Sequence, residues 1–158
     1  MEQILDTTAP EARPLVYIGF WMRVGAALID GIILWIVQSI VTMMTVGSMF
    51  MNIRPGEVPD ASYFARFFMV FPVILGIQWL YYAGMESSTK QATIGKMAIG
   101  AKVTDLQGNR IGFGRATGRY FSKILSSLIL GIGYLMVGFT EKKQGLHDQI
   151  AGTLVVQK

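Results

Sequence analysis

The sequence predicts an all-α membrane protein with two transmembrane helices, a third apolar segment forming a helical hairpin or span, and a short cytoplasmic β-hairpin. Three observations carry that prediction. Across 158 residues, 52% of side chains are hydrophobic and only 15% are charged, whereas ordinary soluble domains carry about a quarter charged residues. The apolar residues arrive in three long blocks. Basic residues crowd into one of the two segments between those blocks, the asymmetry that accompanies insertion into a bilayer.

Residues 1–18 read as a cytoplasmic tail. Glu2, Asp6 and Glu11 stand where a cleavable signal would be basic, and no apolar core precedes Pro10, so the first span is expected to act as its own anchor. The membrane domain covers residues 19–140. Its first span, about residues 20–46, includes the block Val24 to Val46, which holds a single ionisable residue, Asp30. That length suffices to cross a hydrocarbon core of roughly 30 Å. The second span, about 64–84, contains the uncharged run Phe67 to Ala83 with Pro72 and Gln78 inside it. Arg66 at its start is expected to snorkel outward.

A basic loop follows over residues 85–114. Within it "IGAKVTDLQGNRIGF" alternates and turns at Gly108-Asn109, a β-hairpin signature. Residues 115–140 form the third apolar segment, with Lys123 and glycines at 131, 133 and 138. A break at Gly131 and Gly133 predicts a hairpin of two short arms, while the total length also admits one ordinary span. The tail, 141–158, ends in the strand-like "TLVVQK". Its cheapest partner is the loop hairpin near residues 101–104, which places both on one face of the membrane.

Charge sets the orientation. Lys90, Lys96, Lys102, Arg110, Arg115, Arg119 and Lys123 follow the second block, whereas only Arg54 and Arg66, offset by Glu57 and Asp60, separate the first two. The positive-inside rule puts the long loop in the cytoplasm. Both termini are then expected there too, in a multi-pass protein of the cell membrane.

Asp30 is the residue that demands an account. An aspartate at the centre of a span costs about 2.5 to 3.5 kcal/mol on an insertion scale, so it must face protein or water. Arg23, seven residues earlier, shares its helix face about 10.5 Å away along the axis. It leans toward the amino terminus and away from Asp30, as a headgroup anchor would. Gln38 and Thr42 extend a polar stripe from Asp30, which Gln78 of the second span could face. The functional reading is an ion or proton site built from Asp30, Gln38, Thr42 and Gln78. The structural reading is an ion pair that locks the bundle, with Arg119 or Lys123 as partner. Arg115, Arg119 and Lys123 recur every four residues, one basic helix face that would otherwise meet lipid headgroups.

His147-Asp148 is the one pairing that suggests catalysis or metal. No matching ligand spacing or nucleophile motif accompanies it, and a capping or bridging role for Asp148, for instance to Arg23, is expected instead. "ATIGKM" lacks the first glycine of a phosphate loop. No catalytic residues, cofactor, metal or nucleic-acid partner is expected, and the chain is not expected to be an enzyme.

Three pieces together, "GFWMRVGAALID", "TIGKMAIGAKVTDLQGNRI" and "GLHDQIAGTLVV", resemble the RDD family of small, mostly bacterial integral membrane proteins, named for one arginine and two aspartates. The resemblance implies Arg23, Asp30 and Asp148 as those residues. It also brings the suggestion of transport. The expected function is a transporter of ions or small solutes using an intramembrane aspartate, working as a homo-oligomer because so few helices enclose little pathway. The alternative is an assembly or regulatory partner of another membrane protein, without transport. The lipid bilayer is a partner in either case.

Overall fold

The structure is a computed structural model that describes residues 15–50, 61–129 and 131–158. Most of the expected amino-terminal tail, the link carrying Arg54, Glu57 and Asp60, and the side chain of Arg66 lie outside what is described. Helix α1 runs Phe20–Phe50 and α2 runs Ala61–Ser87. Their apolar stretches, Phe20–Gly47 and Phe68–Ser87, hold 28 and 20 residues, about 42 and 30 Å of helix. Each is long enough to cross a bilayer, as predicted. Large apolar side chains such as Leu28, Ile32, Trp35, Phe71 and Leu80 point outward and exposed, the arrangement that lipid stabilises and water would not.

After α2 the chain makes the short helix α3, Ile94–Ala98, and strand β1, Ala101–Asp105. Helix α4 covers Phe113–Leu128, α5 covers Ile132–Leu135 with a 3-10 turn at Met136–Gly138, α6 covers Leu146–Ala151, and strand β2 covers Thr153–Gln157.

Strands β1 and β2 pair antiparallel, from Ala101 opposite Gln157 to Asp105 opposite Thr153. Pairing of the loop strand with the carboxyl-terminal strand agrees with the sequence. The loop hairpin itself is shorter than the alternation suggests. Gly108 takes a left-handed φ of 87° and Asp105 N–H donates to Asn109 O, but the return arm contributes a single bridge, Thr104 to Arg110. The edge of β1 that the return arm would fill is taken over by Gln91, whose carbonyl accepts from Val103 N–H at 2.7 Å. On the far side of β2 the chain entering α1 bonds as well: Ile18 N–H donates to Val155 O and Gln157 N–H to Val16 O, both at 2.9 Å. The start of α1, the loop and the tail are therefore stitched together at one end of the molecule. Ile18, Ala83, Ala101, Val103, Ile111, Ala116 and Val155 form the core there, with Trp79 and Ile99 packed against it.

The third apolar segment is bent. Helices α4 and the α5 turn meet at 115°. Gly131, at φ 76°, occupies a conformation that side chains resist. Gly133 is pressed so closely on α4 that a Cβ would sit 2.8 Å from Ser126 Cβ and Oγ. The two glycines read as a break in the sequence make the turn possible and let its arms touch.

Candidate functional site

Five elements bring ionisable groups to one place. Arg119, in the middle of α4, is 1% exposed, and its guanidinium lies between two carboxylates. Its Nη1 donates to Glu86 Oε2 at 2.6 Å, while Nε and Nη2 both donate to Asp148 Oδ1 at 2.9 and 2.7 Å. Arg23 extends the network on the Asp148 side. It donates to Asp148 Oδ2, to Ile18 O at 3.1 Å and to Lys143 O at 2.5 Å. Lys96 extends it on the other, donating to Glu86 Oε1 at 2.7 Å. The result is a chain Arg23–Asp148–Arg119–Glu86–Lys96 that ties α1, α6, α4, α2 and α3 together. Buried charges are tolerated only when paired and hydrogen-bonded, and here every carboxylate oxygen has a donor.

Asp148 is held twice over. Its Oδ2 also accepts from Gly145 N–H at 3.1 Å, closing the first turn of α6. Burial alone would raise its pKa, but Arg119 and then Arg23 outweigh that and hold the carboxyl well below the usual carboxylate range. Its neighbour His147 is 4% exposed, with Nδ1 3.4 Å from Ser126 Oγ and Nε2 3.4 Å from Asp148 Oδ1. Burial, together with the positive charge of Arg119, Lys123 and Arg23, pushes the imidazole down to about 3 despite Asp148. It is neutral near pH 7. Ser126 Oγ donates to Ser122 O at 3.2 Å and is wholly buried, so this serine and histidine present no nucleophile to open space.

Asp30 stands apart from this network. It is 1% exposed and accepts three hydrogen bonds: from Tyr81 Oη at 2.6 Å, from Thr93 Oγ1 at 2.6 Å and from Gly95 N–H at 2.7 Å. Thr93 is the N-cap of α3 and accepts from Lys96 N–H at 3.4 Å, while Tyr81 Oη accepts from Ile94 N–H at 3.2 Å. Asp30 thus helps secure the first turn of α3 against α1. Glycine is required at 95, because a Cβ there would lie 2.0 Å from Ala26 O. The "TIGK" segment is a helix start laid directly on a membrane helix.

Three expectations are corrected by this geometry. Arg119 and Lys123 are not the partners of Asp30, whose oxygens are filled by neutral donors while Arg119 is drawn to Glu86 and Asp148. Arg119 also does not reach headgroups, because it is buried. Arg115 does remain half-exposed on that helix, 3.9 Å from Asp105. The polar stripe does not gather into one site either. Gln78 joins Asp30 in lining a shared cavity. Gln38 and Thr42 lie about 12 and 18 Å further along α1, and Gln38 Nε2 is buried with no hydrogen-bond partner among the described residues. Glu86 is the site residue that the sequence reading missed. It is the single acid between Asp60 and Asp105 in the sequence, and its placement at the end of a span beside the basic loop was the available signal.

The cavity holds about 510 Å³ and separates the first turns of α1 from α4. Asp30, Arg23, Lys96, Arg119 and Lys123 border it, along with Gln78 and a mostly apolar wall that includes Phe20, Val24, Ile124 and Val137. Lys123 Nζ sits 4.1 Å from the centre of the Tyr82 ring and 4.0 Å from Glu86 Oε1.

Two apolar helices, a bent apolar pair and a buried charge network at one end define a small helical membrane protein. Its family follows from comparison with known sequences: the chain belongs to the RDD family, whose model matches residues 17–152. It is similar to the uncharacterized protein YxaI of Bacillus subtilis (strain 168), 38% identical across 89% of this chain and 97% of that protein. The uncharacterized membrane protein YteJ of the same strain is 31% identical across 97% of this chain and 90% of its own length. No solved structure matches the chain. Of the three residues that the family resemblance implies, Arg23 and Asp148 are in direct contact and Asp30 holds the neighbouring helix.

Proposed function

We propose that this RDD-family protein is a transport component of the cell membrane that takes a small charged solute into the cavity between α1 and α4. The observation that carries the reading is a 510 Å³ chamber, bordered by both signs of charge, at the end of two helices long enough to cross a bilayer. Ligand sites are typically concave, largely apolar and furnished with a few converging polar groups. In this reading Asp30 serves transport as the fixed wall of the chamber, since its oxygens are already engaged by Tyr81, Thr93 and Gly95. The protein works as a homo-oligomer and performs no catalytic reaction. Both termini face the cytoplasm, a reading supported by the basic loop and by the strands that join loop and tail at one end.

Purified protein reconstituted into liposomes, scanned with cations, anions and a pH-sensitive dye, tests the proposal. Flux above that of empty liposomes is expected, and Ala27→Phe, which intrudes on the chamber without altering charge, should lower it at least tenfold. Absence of flux for every solute, in protein shown to be folded and inserted, would sink transport.

A second reading has one observation in its favour. The buried Gln38 Nε2 on α1, without a hydrogen-bond partner among the described residues, is what a helix of a partner protein could satisfy, so an assembly or regulatory role is the alternative. Cross-linking from Gln38 that captures a different membrane protein, with no flux, would select it.

A further inference from the structure

The charge network leaves one cation poorly served, and that residue borders the cavity. Each oxygen of Glu86 and Asp148 is already within hydrogen-bonding distance of Lys96, Arg119, Arg23 or Gly145 N–H. Lys123 is the remainder. Its side chain is 21% exposed, and its nearest carboxylate oxygen, on Glu86, is 4.0 Å away and is held by Lys96 at 2.7 Å. What Lys123 has instead is the face of Tyr82, a weaker partner than an anion. Gln78, Tyr82 and Tyr120 border the same cavity and add polar groups to its lining. A cation in a cavity whose lining also carries polar side chains is suited to an anion with several acceptor oxygens.

The remainder of the chamber argues for what is attached to that anion. Phe20, Val24, Ile124 and Val137 give it apolar walls, a surface that an acyl chain would fill. Ala27, Ile124 and Ser127, which border it from α1 and α4, are exposed on the outer surface of the helices. The way in is therefore lateral, at the end of the apolar stretches where headgroups lie.

We infer that the cavity is a binding site for an anionic amphiphile with a phosphodiester headgroup, the phosphate held by Lys123 and the apolar chain lying between α1 and α4. The inference rests on reading the cavity as a ligand chamber and does not depend on the ligand being moved. A phosphodiester stays ionised across the physiological range and offers more acceptor oxygens than the carboxylate of a fatty acid.

The test uses the full chain in mild detergent, titrated with short-chain phosphatidylglycerol, phosphatidylcholine of the same chain length, a fatty acid of that length, and inorganic phosphate alone. Binding is read by native mass spectrometry and by the rise in melting temperature. Phosphatidylglycerol should bind at least tenfold more tightly than the other three. Lys123→Gln should erase most of that preference, Lys123→Arg should retain it, and Lys158→Gln, at an exposed position away from the cavity, should leave it unchanged. If Lys123→Gln does not fold, Ala27→Phe provides the same reading by filling the chamber. Equal binding of both phospholipids overturns the proposal, as does a preference that survives both Lys123→Gln and Ala27→Phe. Tight binding of phosphate alone, or of the fatty acid in place of the phospholipid, overturns the stated ligand class. Ion flux without any lipid preference would refute this inference and leave transport standing. Lipid preference without flux would do the opposite.

Discussion

Asp148 carries two guanidinium groups from distant parts of the chain, and that position determines what its loss would do. Removing one member of a buried ion network strands the others, at a cost of about 3 to 5 kcal/mol. Asp148→Asn should therefore lower the melting temperature of the purified protein sharply, and an unchanged melting curve would remove the network from the account of stability. Asp30→Asn should be milder, about 1.5 to 3 kcal/mol, because one amide oxygen can still accept from Tyr81 and Gly95 while Thr93 Oγ1 takes the amide hydrogen. Asp30→Leu should exceed it, since Gly95 N–H and Thr93 would lose their acceptor. Equal effects of the two Asp30 changes would contradict the capping geometry.

His147 gives the residue scale a pH signature. Its folded pKa of about 3 lies below the ordinary value of about 6.5, so the unfolded chain binds the proton more readily. The stabilisation is fully present above pH 6.5 and drains away as pH falls toward 3. Asp148, also depressed, acts in the same direction but only below the ordinary carboxyl range near 3.9. Melting temperature should thus hold near neutrality, then decline through the acid range. His147→Gln should flatten the segment between about pH 6.5 and 4 and leave the steeper fall below it. Identical profiles for the two proteins over that segment would rule the histidine out as its source.

At the scale of elements, two close approaches decide the architecture, and both are at glycine. Gly95→Ala would bring a methyl to 2.0 Å from Ala26 O, forcing α3 away from α1 and stretching the bond from Gly95 N–H to Asp30. A loss of about 3 kcal/mol is expected from overpacking and the weakened hydrogen bond. Gly133→Ala should be damaging for a different reason, collision with Ser126 on α4. Ser126→Gly combined with Gly133→Ala should recover little of the loss, because Ser126 Cα would still lie 2.9 Å from the new methyl. Gly138→Ala, where a Cβ meets nothing within 4 Å, should be neutral to within about 0.5 kcal/mol. Full recovery in the double change would mean that the close backbone approach of the two arms does not set the bend.

For the whole molecule the distinctive property is that distant segments close at one end. The chain has no cysteine, so single cysteines report location without background. An impermeant thiol reagent applied to intact cells should label Ser62→Cys and spare both Asn109→Cys and Gln157→Cys, which should react only after the membrane is opened. Labelling of Gln157→Cys but not Asn109→Cys from outside is incompatible with a sheet that joins their segments.

The sequence by itself determined the class of protein. Long apolar runs at α1 and α2 have one stable environment, and their length and the position of basic residues need no tertiary contact to be read. The break at Gly131 and Gly133, and the pairing of "AKVT" with "TLVV", were legible for the same reason: backbone freedom and strand alternation are local. Which charges would meet was not local. Asp30 could be judged expensive in lipid from the sequence, yet two of its partners, Thr93 and Gly95, belong to "ATIGKM", a segment with no sequence signal that points to Asp30. Arg119 had the spacing of a headgroup contact, and only the packing of α4 between α2 and α6 turned it inward to Glu86 and Asp148. Spacing along a helix says which residues share a face. What that face meets is settled by the shape of the fold, because a buried charge takes its energy from the group beside it in space.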